Sequence, residues 1–489
     1  MSYIILLLYA LCMLFIFLYS LSQLHLTYWY LKKKKAAKQN APTPIETEDL
    51  PQVTIQLPVY NELYVIERLI DAVAQFDYPK EKLEIQVLDD STDKTVEIIA
   101  NKVAFWQAKG IDIQHVQRDN RKGYKAGALK YGMKRAKGEF IAIFDADFVP
   151  AKDFLLKTLP YFKNEKIGVV QTRWGHLNKD YSLLTKLQAF GLDAHFSIEQ
   201  VGRSAAGSFI NFNGTAGIWR KNCIIDAGGW QPDTLTEDLD LSYRAQMRGW
   251  QFEFLEDLES PAELPVLMPA IKSQQFRWNK GAAETARKHL GTVLKKPIGA
   301  VNKVHAFFHL LNSSIFVFLL FAALLSIPML FIKYNHPELQ VFINIGSILF
   351  FGFFSITLFY WVATKQFEKQ KTLPLFIKTY PVFLTITMGL SLHNALAVLE
   401  GLLGFKSPFV RTPKFNITQL KESWKGNIYL KKSFNWLNLL EALMGLYFLA
   451  GIGIGIYLKD YGLMIFHIML GLGFLSVFYY SVKAAVAVK

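Results

Sequence analysis

Long apolar runs near the two ends of the chain constrain its fold more than any other feature. Residues 3–20 carry no charged side chain, and the apolar composition continues to about Leu31, which is long enough to cross a bilayer. Further apolar runs lie at about 306–332, 341–363, 373–404, 436–457 and 461–481. The sequence therefore predicts an N-terminal transmembrane anchor over residues 1–31, a soluble domain over 41–300 and a C-terminal membrane region over 301–489.

The charges that flank these runs indicate how the chain is oriented. Lysines at Lys32–Lys35 directly follow the first run and no basic residue precedes it. This pattern favours a membrane anchor over a cleaved secretory signal, followed by a cytoplasmic domain. The C-terminal region is expected to hold about four full spans and a basic cytoplasmic loop at 405–433. The segment 373–404, which contains Pro381, is either two short halves or an interfacial or re-entrant piece.

Composition narrows the expected partners. The 489 residues include 54 Lys and Arg against 40 Asp and Glu, and the net charge of +14 favours an anionic partner such as a membrane surface or a nucleotide. The basic residues are spread over the flanks of the apolar runs, so nucleic acid is not expected as a partner. The two cysteines, Cys12 and Cys223, do not indicate a disulfide framework because Cys12 lies in an apolar run. We expect an integral protein of the plasma or inner membrane, with its soluble domain in the cytoplasm.

The first part of the soluble domain alternates β-rich runs with helical patterns. Its apolar side chains at Val65, Leu69 and Val73 share one helical face, and Asn61 is the expected cap of that helix. This alternation predicts an α/β domain with a mostly parallel central sheet, in which ligands bind beyond the carboxyl ends of the strands. The predicted strands lie near residues 53–57, 83–88, 111–118 and 139–148, and the further helices lie near 92–106 and 123–138.

Four aspartates follow two of these predicted strands. Asp89 and Asp90 come after the second strand, and Asp145 and Asp147 end the fourth. One alanine separates Asp145 from Asp147, so their carboxylates can converge on one cation, and such oxygen ligands suit Mg²⁺ or Mn²⁺. A solvated turn at the strand end is the alternative, because two closely spaced aspartates also occur by chance. After Asp90, Ser91 or Thr92 is expected to cap the next helix.

Three further groups have both a structural and a chemical interpretation. Lys125 begins a predicted helix, where it either holds phosphate together with free backbone N–H groups or is a surface lysine. Thr236 is an expected helix cap, and the acids Glu237 and Asp238 after it either favour the helix dipole or supply a general base toward a hydroxyl. The stretch "QQFRW" (Gln274–Trp278) can bind a diphosphate and stack on a sugar, or it lies at the bilayer interface.

The order of these motifs is more specific than any one of them. "DD" at 89–90, "DAD" at 145–147, "TED" at 236–238 and "QQFRW" resemble the D, D, D, Q(Q/R)xRW signature of processive family 2 glycosyltransferases, the cellulose synthase and hyaluronan synthase superfamily. "FNGTAGIWR" from Phe212 and "RTPKF" from Arg411 are similar to further blocks of that family. They look most like the cellulose-synthase-like mannan and glucan synthase branch, in its bacterial form. The resemblance covers about residues 50–280.

The resemblance implies a GT-A fold, a nucleotide-sugar donor, Mg²⁺ or Mn²⁺, and inversion to a β-linkage. It implies that the donor is bound by Asp89, Asp90, Lys125, Asp145, Gln274, Gln275, Arg277 and Trp278. It implies Asp147 and Asp145 as metal ligands, and Asp238, beside Glu237, as the catalytic base. The acceptor is expected to contact Phe212, Asn213, Gly214, Thr215 and Trp278.

The expected protein thus joins an α/β GT-A domain to an α-helical multi-span membrane domain. Its expected activity is that of a hexosyltransferase, which polymerises a sugar from UDP-glucose or GDP-mannose onto a growing glycan and is coupled to export. The alternative is a single-transfer enzyme whose acceptor is a lipid such as ceramide. Asn213 stands where the cellulose synthases have a cysteine, which disfavours cellulose as the product. A membrane scaffold with a degenerate domain is disfavoured because it has no need of convergent carboxylates.

Overall fold

The structure, a computed structural model, describes residues 2–36, 42–419, 422–430 and 434–487. Parts of the predicted segments lie outside these ranges: residue 1 of the anchor, residue 41 of the soluble domain, residues 420, 421 and 431–433 of the basic loop, and residues 488 and 489 of the predicted C-terminal membrane region.

A seven-stranded sheet forms the centre of the soluble part. Its strand order is β3-β2-β1-β4-β6-β5-β7, and β6 is antiparallel to both of its neighbours while every other pair is parallel. The predicted mostly parallel sheet is therefore confirmed. The strands are β1 (Val53–Val59), β2 (Leu83–Asp89), β3 (Asp112–Gln117), β4 (Phe140–Ile143), β5 (Ile167–His176), β6 (Gly217–Arg220) and β7 (Gln251–Ala262).

Helices cover both faces of the sheet and make up the apolar N-terminal and C-terminal parts of the chain. A turn of π-helix at His195–Glu199 joins α6 to α7. The helices are α1 (Ser2–Lys35), α2 (Ile66–Ala74), α3 (Thr95–Ala108), α4 (Tyr124–Met133), α5 (Phe154–Thr158), α6 (Leu183–Ala194), α7 (Gln200–Ala205), α8 (Lys221–Asp226), α9 (Glu237–Gln246), α10 (Met268–Lys295), α11 (Ala300–Leu310), α12 (Ile315–Asn335), α13 (Gln340–Gly346), α14 (Phe351–Phe367), α15 (Thr372–Gly389), α16 (Ser391–Leu403), α17 (Trp436–Tyr457) and α18 (Met464–Ala487).

The sheet is buried on both sides, as its continuous apolar strands require. Ile55 of β1 packs with Ile70 of α2 and Ile99 of α3 on one side. On the other side, Ile141 of β4 packs with Leu129 of α4. Each of these side chains is almost fully removed from solvent, and such burial contributes about 1.5–3 kcal/mol per side chain. The carboxyl ends of the strands are thereby held at one edge.

Local structure differs from the sequence-based expectations where turns override helical patterns. Asn61 does not cap α2; its backbone is left-handed, with φ 55°, and its side-chain oxygen accepts from the backbone N–H of Thr92 at 2.8 Å. Neither Ser91 nor Thr92 caps α3. The first residue of that helix is Thr95, and its backbone N–H donates to the carboxylate of Asp93 at 2.9 Å. Strand β1 continues through Pro58 to Val59, two residues beyond its predicted end at residue 57.

Among the described residues, five helices are long and apolar enough to cross a membrane by length and composition. They are Ser2–Lys35, Asn312–Asn335, Ser347–Phe367, Trp436–Tyr457 and Met464–Ala487. A sixth candidate is the pair α15 and α16, which passes the same test together but is bent by 51° at Leu390. The predicted run at 306–332 is in fact divided by a turn at residues 311–314 between α11 and α12.

Close packing of small residues joins the bent pair to the last helix. A Cβ placed on Gly389 of α15 would lie 2.3 Å from the backbone of Gly473 in α18, so no larger residue fits there. Such glycine contacts let membrane helices approach closely.

Candidate active site

One cleft at the carboxyl edge of the sheet collects most of the residues that the sequence predicts for the site. It has a volume of about 190 Å³. The segment between α16 and α17 reaches back to form part of its wall. The predicted site residues that line it are Asp90, Lys125, Asp145, Asp147, Asn213, Gly214, Glu237, Asp238, Gln274, Arg277 and Trp278. Asp90, Asp147 and Asp238, which are far apart in the sequence, therefore face one space.

The two aspartates that follow β2 have different surroundings. Arg118 holds Asp90 at the cleft, with its Nε donating to Oδ1 at 2.8 Å. Asp89 does not line the cleft; it is buried, accepts from the backbone N–H of Ser91 at 2.8 Å and lies 2.8 Å from His115 Nε2. Asp89 therefore fixes the strand end and Asp90 is the one that faces the ligand space.

Lys125 joins the acidic strand end to the loop after α7. Its Nζ donates to Asp145 and to the backbone oxygen of Gly214, the latter at 2.9 Å. Burial disfavours the charge of this amine, but Asp145 and the nearby acids outweigh it and raise the pKa of Lys125. An ammonium in the first turn of α4 is thus retained where a phosphate would meet it.

Gly214 allows Asp238 and Lys125 to approach the same loop. Its φ is 80°, a left-handed conformation that favours glycine. A Cβ at this position would lie 3.0 Å from Asp238 Oδ2 and 3.5 Å from Lys125 Nζ. The absence of a side chain therefore brings the start of α9 and the start of α4 against the same loop.

Asp147 is paired with a residue that the sequence did not assign to the site. It is only 5% exposed, and its carboxylate accepts from Lys414 of the segment between α16 and α17. In the same segment, Arg411 Nη1 lies 2.8 Å from Glu62 Oε2, and burial raises the pKa of Glu62 to about 7. This stretch of the loop, residues 409–414, thus supplies cations to the floor of the cleft.

Glu237 and Asp238 begin α9 and face the cleft without a salt bridge to any described residue. Thr236 occupies the N-cap position, but its side chain makes no capping hydrogen bond. Burial and the neighbouring charge of Glu237 raise the pKa of Asp238 to about 7, and burial also raises the pKa of Glu237. A carboxylate that titrates near neutrality is suited to take a proton from a hydroxyl.

Helical spacing sorts the residues of "QQFRW" on α10. Gln274, Arg277 and Trp278 are at positions i, i+3 and i+4, so they share the face that lines the cleft. Gln275 faces away, and its Oε1 accepts from the side chain of Asn394 in α16 at 2.8 Å. The structure therefore places Gln275 outside the cleft, at the contact with the membrane region.

Arg277 supplies the positive charge of this face. It donates to Thr412 Oγ1 at 2.9 Å, and its guanidinium lies 5.0 Å from the ring centroid of Phe409. Burial lowers the pKa of Arg277, although Asp145 and Glu237 oppose that shift. Its buried Nε has no hydrogen-bond partner in the described part of the chain, so a donor remains for an anionic ligand.

Only half of the predicted acceptor loop reaches the cleft. Asn213 and Gly214 line it, whereas Phe212 and Thr215 are fully buried beneath it. Phe212 packs its ring 5.4 Å from that of Trp219, and Thr215 Oγ1 accepts from the backbone N–H of Asp145 at 2.8 Å. Phe212 and Thr215 therefore support the loop and do not contact a ligand in this arrangement.

Sequence reasoning missed several cleft residues. Among them is Arg121, whose guanidinium lies 3.3 Å from the ring centroid of Tyr60. Only the "RTPKF" block, which contains Arg411, Thr412 and Lys414, gave a signal, because it is basic and resembles a family block, but it assigned no role to these residues. The missed residues are Tyr60, Glu62, Arg121, Trp174, His176, Phe409, Arg411, Thr412 and Lys414.

The donor set of the cleft fits a hard divalent cation only with help from a ligand. Within the described ranges, no group of three or more His, Cys, Asp or Glu side chains could hold a metal ion. Asp145 and Asp147 provide carboxylates at the same cleft. Mg²⁺ and Mn²⁺ commonly use one or two carboxylates and take their other oxygens from water and substrate phosphates. The residues present therefore fit a cation that arrives with a diphosphate.

Comparison with known proteins agrees with this geometry. Residues 51–281 match the protein family described as "Glycosyltransferase like family 2". These residues are therefore similar to family 2 glycosyltransferases. The match contains every acidic and basic residue that the sequence assigned to the site, and the family-level resemblance is confirmed.

Plant proteins are among the relatives of this domain. The chain is 46% identical over 266 residues to probable glucomannan 4-beta-mannosyltransferase 4 of Oryza sativa subsp. japonica, covering 53% of this chain and 48% of that protein. It is 43% identical over 264 residues to glucomannan 4-beta-mannosyltransferase 9 of Arabidopsis thaliana, covering 53% and 50%. The chain thus spans about half the length of the curated relatives it matches.

A solved structure shares the architecture of the chain. It is "Mannosyltransferase PcManGT from Pyrobaculum calidifontis in complex with GDP-Man and Mn2+", with a TM-score of 0.54 and 19% identity. The similarity covers 81% of this chain and 100% of that one. At this level of identity the comparison shows the GT-A fold, which confirms the predicted fold class.

Proposed function

We propose that this protein is a membrane-bound inverting β-glycosyltransferase that transfers mannose from GDP-mannose to the end of a growing polysaccharide. Its catalytic domain would lie on the cytoplasmic side of the plasma or inner membrane. The observation that carries the proposal is the convergence of Asp238, Lys125 and Arg277 on one cleft. A base and two cations for a leaving diphosphate are what a single displacement at a sugar carbon requires.

The chemical step follows from this placement. The carboxylate of Asp238 takes the proton from an acceptor hydroxyl, whose oxygen forms a bond to C1 of the donor sugar. The bond between C1 and the diphosphate oxygen breaks, and its electron pair leaves with the nucleoside diphosphate. Because one bond forms as the other breaks on the opposite face, the configuration at C1 inverts. Burial and the negative charge of Glu237 oppose the ionisation of Asp238 and raise its pKa to about 7, which suits a base that works near neutral pH.

Cationic side chains of this protein would neutralise the negative charge of the leaving diphosphate. Lys125 and Arg277, which both line the cleft, would bind the diphosphate oxygens, and partial exclusion of water would strengthen these contacts. Asp147 and Asp145 would hold Mg²⁺ or Mn²⁺, which would neutralise further negative charge on the diphosphate. Asp90 and Arg121 lie on the same wall, where the nucleoside of the donor would lie.

The identity of the sugar rests on the relatives. Proteins that share more than 40% identity over the catalytic domain carry the name glucomannan 4-beta-mannosyltransferase, which supports mannose and a β-1,4 linkage for this chain. The archaeal structure of the same fold is named for GDP-Man and Mn²⁺, so this ligand pair is the first to test. UDP-glucose is the second.

A cavity in the membrane region supports export of the product. It has a volume of about 420 Å³ and lies between α1, α12, α14, α15 and α18. Asn279 lines this cavity, and its neighbour Trp278 lines the catalytic cleft, so one turn of α10 borders both spaces. The aromatic residues Tyr360, Tyr380 and Phe383 of its wall can stack on sugar faces.

Four other aromatic residues of the apolar helices, Trp361, Trp436, Tyr479 and Tyr480, do not line this cavity. Trp436 and Tyr479 are 66% and 57% exposed on the outer surface, which suits contact with lipid. Trp361 packs against Phe376, and Tyr480 packs in the contact between α15 and α18.

The experiment is a transfer assay with the full-length protein in detergent or nanodiscs. It would be incubated with GDP-mannose, UDP-glucose and other nucleotide sugars, each with Mg²⁺, Mn²⁺ or a chelator. We expect consumption of GDP-mannose only with a divalent cation, and a product that contains chains of β-1,4-linked mannose. No consumption of any nucleotide sugar would contradict the proposal, and a product with one sugar on a lipid would contradict polymerisation.

A further inference from the structure

The cleft has a second wall, which the donor site leaves unused. Trp174 and His176 are two residues apart on β5, so their side chains point to the same face of the strand, and both line the cleft. Leu192 of α6 and Trp278 of α10 line it beside them. This wall is built from aromatic, aliphatic and imidazole groups, in contrast to the cations and acids that surround Lys125.

Three rings fix the orientation of Trp174. Its ring centroid lies 5.3 Å from that of Phe148, 4.9 Å from that of Phe196 and 6.3 Å from that of Trp278. The indole N–H of Trp174 is buried and has no hydrogen-bond partner among the residues described. An unpaired buried donor costs free energy, and a ligand oxygen would remove that cost.

A carboxylate holds His176 in place. His176 Nε2 lies 3.0 Å from Asp193 Oδ1, and the two side chains are only 5% and 12% exposed. If Nε2 donates to this carboxylate, the other ring nitrogen is left to bond a ligand. Asp193 is on α6, which also carries Leu192 of the wall, so the helix positions the imidazole with respect to the cleft.

We infer that Trp174 and His176 form a subsite for a neutral pyranose ring of the acceptor glycan, and that Asp193 positions His176 in that subsite. The inference rests on the proposed function for the identity of the glycan. A sugar presents an apolar C–H face, which stacks on an indole, and hydroxyl groups, which bond to an imidazole. A diphosphate would instead require cations, which this wall does not supply through Trp174 or His176.

The first experiment measures glycan binding without a donor. Full-length protein in nanodiscs is titrated calorimetrically with β-1,4-mannohexaose and with cellohexaose, and separately with GDP and Mn²⁺. We expect His176→Ala to weaken binding of the preferred hexasaccharide by about fivefold, the worth of one hydrogen bond. We expect the affinity of the His176→Ala variant for GDP to stay within about twofold of the wild-type value, because the variant loses no contact with GDP.

Two further variants distinguish a positioning role from a general loss of structure. Asp193→Asn should weaken hexasaccharide binding less than His176→Ala, because the imidazole remains but is held less firmly. His176→Gln keeps a hydrogen-bonding group and should restore part of the affinity. The control is His336→Ala, which removes a histidine that forms a similar 2.8 Å pair with Glu338 on the surface.

Several results would overturn the inference. The His176→Ala variant could bind the hexasaccharide as tightly as the wild-type protein does. It could lose affinity for GDP and for the hexasaccharide to the same extent. The wild-type protein could fail to bind either hexasaccharide. Failure of the proposed function gives a different result: hexasaccharide binding that depends on His176, without turnover of any nucleotide sugar.

Discussion

Two pairs of acids in the same cleft have opposite electrostatic surroundings. Asp145 and Asp147 each meet a lysine, Lys125 and Lys414 respectively. Glu237 and Asp238 form no salt bridge with any described residue, and the pKa of each is raised. The same type of side chain is therefore prepared for two tasks, since compensated acids suit binding of a cation with phosphate and uncompensated acids suit proton transfer.

The largest loss of activity is expected when the proposed base, Asp238, is removed. Asp238→Asn should lower transfer by about a thousandfold because the amide cannot accept the hydroxyl proton. Donor affinity, measured by titration with GDP-mannose and Mn²⁺, should change by less than about twofold. Asp226→Asn is the control, because Asp226 is an exposed acid paired with Arg248 away from the cleft. Near-native transfer by Asp238→Asn would show that the two acid pairs do not divide the tasks in this way.

The second test removes the other type of acid. Asp147→Ala should lower cation-dependent turnover by at least about a hundredfold, since charge on the leaving diphosphate loses several kcal/mol of stabilisation. Unlike Asp238→Asn, it should also abolish the effect of Mn²⁺ on GDP affinity. Removal of the cation from the wild-type protein by a chelator should reproduce the loss. If Mn²⁺ still raised the GDP affinity of the variant, Asp147 would not be a ligand.

A smaller effect is expected on the cationic side of the site. Arg277→Ala should weaken GDP binding by about tenfold, as removal of a charge-assisted hydrogen bond would. Arg277→Lys should recover part of this loss because the charge remains but the planar fork does not. Equilibrium titration with GDP gives both values. Unchanged affinity in Arg277→Ala would limit this residue to its contacts with Thr412 and Phe409.

The mildest test changes no residue and measures how the transfer rate depends on pH. Asp238 must be ionised to act as a base, and its pKa is raised to about 7. Transfer should therefore fall as the pH drops below about 7, approaching tenfold per unit, and should level off above it. GDP affinity should change much less over pH 6–8, because Lys125 and Arg277 stay charged there. A transfer rate that is flat from pH 5 to pH 8 would contradict the raised pKa of the base.

Much of the fold could be predicted because strands and helices carry local patterns. The convergence of Asp90, Asp145 and Asp147 followed from one property of parallel sheets, in which the carboxyl ends of strands meet at one edge. The position of Gln275 could also have been predicted, since Gln274, Arg277 and Trp278 share a helical face from which Gln275 is excluded.

Other parts of the site have no local signal. Lys414 reaches Asp147 across a sequence separation of 267 residues, and nothing in "RTPKF" specifies that contact. His176 and Asp193 become a pair only because β5 and α6 pack together. Asn61 looked like a helix cap, yet contact with Thr92 at the end of the neighbouring strand holds it in a left-handed turn. Tertiary contacts decided each of these positions.

The contact between Lys414 and Asp147 also bears on how the chain reaches its native state. An internal ammonium supplies the counter-charge for a buried carboxylate, so folding of this edge of the sheet does not depend on prior uptake of an ion from solution. In the proposed reaction, a cation held by Asp147 would take the place of this ammonium, and Lys414 would then be available to bind a phosphate oxygen. Protein purified in the presence of a chelator should therefore keep its circular dichroism spectrum and its thermal transition while losing only turnover.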